Sequence, residues 1–456
     1  GGCVTQKNPQ ISILNPKNED IVSGTVNIEV QVTVDEKNSI SSVEFYVDDT
    51  KIGTKTQPPY MCSWNTEGFE TGNHTITVKA YDNKGNTSSA SINVGKDAFL
   101  KWTIGIGYIY ACPAIGDDGT IYVIGDKLYA INPDGSIKWG KNLENEYFNV
   151  QCSPVIGNDG TIYVVSGDNA QLYALNPGDG SIKWGTLIGK LNNNMGNISP
   201  ALDSKGNIYI GNAAGYLYSL DSNGNIRWTY TCGQGITSYP VVDKDDNIYI
   251  FCKNTGSEGV FYSINSDGNY RWSYTFPIGE WCNAPPSIDS EGNIYLSISG
   301  GTYGKIYKYD KAGIPQWTTQ VSGNIYYSPI FDNSGYLYVC DESKNIYKIS
   351  TNDGSIFKST NIGYHSSLVI SKEDIIYAIG IDSNKYIIRA INTSDLSIKW
   401  NYTATQTYYP TLSNDGILYF GTLESKLFAI KVDSTGLMDS PWPKYRRDLK
   451  NTGKAD

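Results

Sequence analysis

A two-strand pattern recurs eight times along most of this chain, and it constrains the fold more than any other feature. The first signal reads Ile121-Tyr122, Ile162-Tyr163, Ile208-Tyr209, Ile248-Tyr249, Ile294-Tyr295, Leu337-Tyr338, Ile376-Tyr377 and Leu418-Tyr419. The second follows each: Leu128-Tyr129, Leu172-Tyr173, Leu217-Tyr218, Phe261-Tyr262, Ile306-Tyr307, Ile346-Tyr347, Ile388-Arg389 and Leu427-Phe428. The turn before the first signal advances from Gly119 to Gly416 in seven steps of about 42 residues. The stretch Ala111–Trp139 shows one full unit of four short strands: the Pro113 segment, Thr120–Ile124, Lys127–Ile131 and Ser136–Trp139. Gly119 and Gly135 fall where its hairpins turn with positive φ, which Gly tolerates best. Such a meander cannot bury both faces alone, so it needs its copies. Four strands in a repeat of this length match a β-propeller blade.

The fourth strand ends on an aromatic. Trp139, Trp184, Trp228, Trp272, Trp317 and Trp400 mark repeats one to five and seven, and Phe357 is expected to substitute in repeat six. The eighth repeat has no fourth strand after Leu427, whereas Leu100-Lys101-Trp102-Thr103 precedes the first repeat as an orphan. Joining the two removes open sheet edges. The expectation is an eight-bladed ring over 98–456, closed by the strand around Trp102 beside 427–430.

Ahead of the ring, 1–9 read as a tether and 10–95 as an all-β sandwich. Alternating segments recur at Ile11–Leu14, Val26–Val34, Val43–Val47, Met61–Trp64, Thr75–Tyr81 and Ser89–Val94. Trp64 and Tyr81 are expected in its core, and the lone Cys62 forms no disulfide within it. The segments Gly72–Asp82 and Val43–Asp48 resemble bacterial immunoglobulin-like domains, which implies a spacer or adhesion module.

The repeats resemble the quinoprotein-like (PQQ-repeat) propeller family. The best copy is Ala174–Trp184, with the spacing of that family's tryptophan-docking motif, although Asn176 and Asp179 depart from its usual residues. The resemblance implies that each indole packs on the next blade. The segment Pro441–Asp448 is similar to one common at the ends of such chains and is expected to pack against the ring. Members that use the quinone cofactor carry adjacent cysteines and a carboxylate base beside calcium. Here no two cysteines are adjacent, and no Asp or Glu stands out from the turns. No cofactor or metal is therefore expected, and a PQQ/calcium-dependent quinoprotein dehydrogenase is the alternative reading. Turns such as Asp221–Asn225 and Asp243–Asp246 have the composition hairpins choose anyway.

The net charge of −10 and the lack of a basic stripe argue against nucleic acid as a partner. Phosphate loops, H-E-x-x-H and G-x-S-x-G are missing, and His365 is the only histidine of the repeats. The eight cysteines include no C-x-x-C pair; Cys112 and Cys152 hold nearly equivalent places in adjacent repeats, and an inter-blade disulfide stays open. Gly1-Gly2-Cys3 and the polar stretch after it resemble the cut end of a bacterial lipoprotein signal, which implies lipid on Cys3 as the only tie to a membrane.

What varies between repeats is the run leading into each first strand. These connections are aromatic: Tyr108 and Tyr110, Tyr147 and Phe148, Tyr239, Trp281, Tyr326 and Tyr327, Tyr364 with His365, and Tyr408 with Tyr409. Aromatic faces with few charges suit sugar rings or extended peptides. The candidate ligand-binding residues are Tyr110, Tyr147, Trp281, Tyr326, Tyr327, Tyr364, His365, Tyr408 and Tyr409. The expected protein is a non-catalytic, monomeric, extracytoplasmic binder or scaffold for a protein or carbohydrate partner at the cell envelope.

Overall fold

The computed structural model describes residues 8–455 apart from 19, 23–24, 36, 67–68, 70–71, 97–98, 144–151, 167–170, 190–198, 255, 257, 283, 383–384 and 405–406. Its regular elements are strands, and the chain forms two compact units, Gly1–Trp102 and Thr103–Asp456.

The first unit stacks two sheets. One orders Gln10–Asn15, Thr25–Thr33 and Met61–Asn65; the other orders Ile21–Val22, Thr87–Lys96, Gly72–Asp82, Ile40–Val47 and Thr50–Lys55. Alternation puts Val43, Phe45, Val47, Ile76, Val78 and Ala80 in one core with Trp64. The Trp64 ring meets Phe69 edge-on at 5.3 Å and His74 at 5.9 Å, and His74 Nδ1 lies 2.8 Å from an Asp48 carboxylate oxygen. Tyr81 corrects the expectation of a core ring. It sits between buried Ala80 and Asp82, so the strand's period of two turns it to the outer face, where its hydroxyl donates to Glu44 at 3.2 Å. Thr50–Lys55 was not legible as a strand because its residues, TKIGTK, carry no alternating apolar set.

Among the described residues the second unit is built from eight antiparallel sheets with short hairpins, seven of four strands and one of five, in which Gly235–Ile236 and Val241–Val242 both pair with Ile248–Lys253. Blade one runs Ala114–Ile115, Ile121–Ile124, Leu128–Ile131 and Ile137–Lys141. Gly119 and Gly135 turn its hairpins at φ of 80° and 89°. The two middle strands are buried throughout, as expected of sheets covered on both faces. In the eighth sheet Leu100–Gly105 lies outside Lys426–Lys431. Thr103 Oγ1 donates to the Leu427 carbonyl at 3.1 Å, and the Ile106 amide to Ser425 O at 2.9 Å. The N-terminal strand thus closes the ring where the repeat count required it.

Each docked indole joins two blades. Trp139, Trp184, Trp228, Trp272 and Trp317 donate Nε1–H to carbonyls of the next blade's outer turn, at Pro177, Ser222, Ser266, Lys311 and Thr351, over 2.8 to 3.4 Å. The turn glycine lies flat beneath each ring: a Cβ on Gly180, Gly224, Gly268, Gly313 or Gly354 would come within 2.5 to 2.7 Å of it.

Repeat six departs from the expected pattern. The strand register pairs Lys348 with Lys358, where Ala174 pairs with Trp184 and Lys308 with Trp317. Lys358 therefore takes the docking position, and Phe357 points to the other face, where it packs on Tyr336 at 5.3 Å. The expected substitution by Phe357 fails because a one-residue slip is invisible in sequence but reverses the face. The receiving turn of blade seven has changed as well. Leu396, buried and at a φ of 57°, stands where the other turns carry glycine. Lys348, itself buried, donates Nζ–H to the Thr393 carbonyl at 2.9 Å, as Lys308 does to Thr351 at 2.8 Å, but here no indole shares the carbonyl.

Two glycines with similar backbones separate strain from docking. Gly206 and Gly268 turn at φ of 78° and 86°, but only Gly268 lies under an indole. Gly206→Ala should cost about 1 kcal/mol for its positive φ. Gly268→Ala should cost about 2–4 kcal/mol because overpacking adds to that strain. Denaturant midpoints of the two variants check this ordering.

Candidate functional site: the aromatic mouth and its plug

The connections into the first strands converge on one mouth of the ring, as the meander requires. In four blades they continue the innermost strand toward that mouth. Gly235–Ile236 pairs with Cys252–Lys253; Trp281 exchanges two backbone hydrogen bonds with Ser299; Tyr364 and His365 pair with Ile381 and Gly380; Tyr408 pairs with Gly421. Bulges between His365 and Leu368, and between Tyr408 and Thr411, separate the extension from the first strand proper. Trp281, Tyr364, His365 and Tyr408 are thus held on strand backbone at the mouth.

Tyr110, Trp281, Tyr326, Tyr327 and Tyr409 are half-buried. Tyr326 donates its hydroxyl to Glu342 at 2.7 Å, and Asn324 Nδ2 reaches the same carboxylate oxygen at 3.1 Å. Beside Trp281, the buried Glu280 receives Lys305 Nζ at 2.6 Å and the hydroxyls of Tyr303 and Tyr307 at 3.1 and 3.2 Å. Tyr147, with its neighbour Phe148, and Cys3 lie outside the described residues. Tyr239 is buried, and its ring serves the channel wall rather than the mouth.

The channel beneath the mouth is filled by the chain's own C-terminal segment. Tyr445 stacks on Tyr409 at 4.7 Å and meets Tyr239 edge-on at 5.9 Å; Tyr327 meets Tyr409 at 5.9 Å. Tyr239 and Tyr409 precede the prolines of blades four and eight, on opposite sides of the ring, so Tyr445 bridges its diameter. Burial pushes the Tyr239 phenol up to about 12 and the Tyr445 phenol well above its usual value, so both stay neutral. Arg446 lies over the Tyr239 ring at 5.2 Å and donates to the Pro200 carbonyl. Lys444, fully buried, gives its three protons to Tyr445 O, Asp448 O and Asn451 Oδ1 at 2.7 to 3.0 Å. The basic run 444–447 is therefore packed into the ring, as expected, and is not a basic patch.

The same segment caps the inner edges of the blades. The innermost strand of each sheet leaves an unpaired row facing the channel. The amides of Ile115, Ile156, Leu202, Val242, Phe331 and Ile370 hold one equivalent register position, and all six donate to tail carbonyls, at Leu449, Lys450, Thr452, Gly453, Trp442 and Pro443. Near the start of the tail, the Glu373 carboxylate receives the Thr435 amide at 2.8 Å and its hydroxyl at 2.6 Å.

The donor set does not fit calcium. Asp243 spends one carboxylate oxygen on the amides of Asp245 and Asn247 and the other on the Tyr249 hydroxyl at 2.8 Å. Asp203, Asp289 and Asp332 repeat that tyrosine contact. Among the described residues no three His, Cys, Asp or Glu side chains converge as a metal site would need. Cys112, Cys152, Cys282 and Cys340 are free and buried, whereas Cys232 and Cys252 form a disulfide between the end of blade three and the second strand of blade four. Cys112 and Cys152, at nearly equivalent places in adjacent repeats, are not paired, and the inter-blade disulfide joins Cys232 to Cys252. Cys112 contacts Thr411 instead and Cys282 donates to Ala284 O, because first-strand cysteines face the channel wall while Cys232 leaves its blade toward Cys252.

Comparison with known proteins agrees with this architecture. Residues 9–78 match the family described as bacterial Ig domain, and residues 75–273 match the family described as outer membrane protein assembly factor BamB. Both family likenesses read from the residues are thereby met. Among solved structures, BamB from Moraxella catarrhalis is 13% identical, with a TM-score of 0.58, over 73% of this chain and 99% of its own. The Dos1 propeller is 11% identical with a TM-score of 0.59, over 73% of this chain and 95% of its own. The computationally designed Ika8 protein is also 11% identical, with a TM-score of 0.59, over 74% of this chain and all of its own. A designed protein in this company shows that the likeness carries the fold alone. No curated protein matches.

Sequence reading missed the tyrosine cluster. Its one signal was the Tyr-Pro pair of blades four and eight, where Ser153-Pro154, Ser199-Pro200 and Ser328-Pro329 stand in other blades.

The tail anchor is pH-dependent. Burial pushes the Glu373 carboxyl up, but the Thr435 hydroxyl and amide outweigh it and hold it at about 2, below its usual 4.5. A depressed carboxyl stabilises fully above the unfolded value and loses that contribution as pH falls through the folded one. Glu373→Gln should remove this contribution between pH 4.5 and about 2 and leave a smaller acid-induced drop in melting temperature. Melting curves across that range check it.

Proposed function

We propose that this chain is a non-catalytic extracytoplasmic scaffold that holds a protein partner of the cell envelope against the aromatic mouth of its propeller. One observation carries the reading: Tyr110, Trp281, Tyr326, Tyr327 and Tyr409 stay partly open around a channel that Tyr445 closes from within. A blind aromatic cup on rigid strands suits a surface contact, in which large rings supply most of the binding energy. The match to the BamB description supports a partner in envelope assembly. The Cys232–Cys252 disulfide supports an oxidising compartment, where such bonds persist. The Ig-like unit serves as the spacer that carries the ring, and Cys3 as the lipid attachment point.

The test is a cross-linking pull-down from cell envelope with the full chain and with Trp281→Ala/Tyr326→Ala. The paired variant should recover a specific protein about tenfold less, the loss of at least one ring-sized contact. Equal recovery by both proteins sinks the reading. Mouth-dependent binding on a glycan array, with no protein recovered, would replace the protein partner by a carbohydrate.

A further inference from the structure

Blades six and seven meet differently from the blades before them. Exposed Lys358 and buried Leu396 replace the indole and the glycine beneath it, so the hydrogen bond and ring burial seen at five other junctions are lost together. A docked indole contributes several kcal/mol of burial, which the Lys348–Thr393 bond alone does not match.

At this junction the tail folds back on itself. Leu437 bridges Ser371, and Met438 N–H donates to Ile370 O at 3.0 Å. The chain then crosses to blade six, where Ser440 Oγ donates to Phe331 O at 2.7 Å and Trp442 O accepts the Phe331 amide at 2.9 Å. It returns to blade seven, where Pro443 O accepts the Ile370 amide at 2.9 Å and Lys444 bridges Val369. Each of the two inner strands is thereby engaged on both its amide and its carbonyl. Among the other described blades only Val242 is held on both its own amide and its own carbonyl, while Asn451 and Arg446 reach the carbonyls of Cys112, Pro154 and Pro200 just ahead of the amides that the tail takes. Trp442 is fully buried with Phe331, Leu337 and Val339, and Met438 completes the apolar cluster shared by blades six and seven, with Ile330, Leu368, Ile370 and Leu396.

We propose that the junction of blades six and seven is the seam at which the ring opens, and that residues 435–444 are the clasp that holds it shut. The clasp lies across one seam, so the ring resists opening there only while these contacts with blades six and seven are made. The device also ties the mouth to the tail, because Tyr445 follows directly on the clasp and supports Tyr409.

Hydrogen exchange of the full chain tests this. Ser440→Ala/Glu373→Gln removes one side-chain contact of the clasp and takes the charge from a second while leaving Trp442 in place. Exchange in Ile356–Asn361 and Ile398–Ala404 should rise about fivefold, with Ile182–Leu187 and Ile226–Thr231, at docked junctions, unchanged. Adding Lys358→Trp/Leu396→Gly should rebuild the dock and return exchange at the seam to within about twofold of the original. No rise at the seam, an equal rise around the ring, or no reversal by a folded docked variant overturns the proposal. Limited proteolysis of the Ser440→Ala/Glu373→Gln protein gives a reading free of the added indole. A first cut within 352–363 supports the seam, and a first cut at a docked junction overturns it.

Discussion

The indole that docks on the next blade's glycine turn is the interaction the ring depends on. A blade's inner strands are buried on both faces, so its stability resides in its neighbours. The indole supplies that neighbour contact in a form that fixes geometry as well as energy. Its N–H reaches a turn carbonyl, and its face rests on a residue without a Cβ, which sets both the distance and the tilt between blades. The tyrosine of the same blade's second strand backs each indole, as in Tyr209–Trp228 at 5.8 Å. A repeat of about 42 residues therefore encodes its own contact surface, and eight copies close because the first fourth strand is held over for the last blade.

A ring built this way leaves a problem at its centre. Eight innermost strands turn unpaired amides toward the channel, where burial without a partner is costly. The chain answers with its own terminus, which supplies carbonyls to six of the eight equivalent amides. The tail carries Lys444 and Arg446 into the interior, where Lys444 gives its protons to two carbonyls and Asn451 Oδ1, and Arg446 donates from Nη2 to carbonyls and lies over a tyrosine face. That arrangement separates the two ends of the channel. Two cavities, of about 400 and 440 Å³, lie on the hairpin side against Asp117, Asn414 and Leu449, away from the aromatic mouth.

The repeat made the fold legible. Its period fixed the blades, its glycines the turns, and the orphan strand at Trp102 the closure. These features are local, and each blade repeats the test. Errors arose where a residue's face depended on register. Tyr81 and Phe357 are both one position from the residue that faces inward, and composition does not distinguish the two faces. The candidate site was partly legible. The connections are aromatic and do reach one mouth, with Trp281, Tyr364, His365 and Tyr408 on backbone that extends the inner strands. The meeting of Tyr239, Tyr409 and Tyr445 was not legible, since these residues lie in blade four, blade eight and the tail, and only ring closure brings them together.

The division of labour within the repeat follows from this. Positions that recur are fixed by packing: the second-strand tyrosines hydrogen-bond turn aspartates, and the fourth-strand indoles dock. Such positions carry no room for a ligand because both partners are already engaged. The runs before each first strand are released from that duty. They reach the mouth with only their own backbone to satisfy, which strand extension, as at Trp281 and Ser299, does economically. Their side chains are then free to differ from blade to blade. A closed ring therefore offers one asymmetric surface on a symmetric frame, and the tail fills the bore that the frame would otherwise leave open.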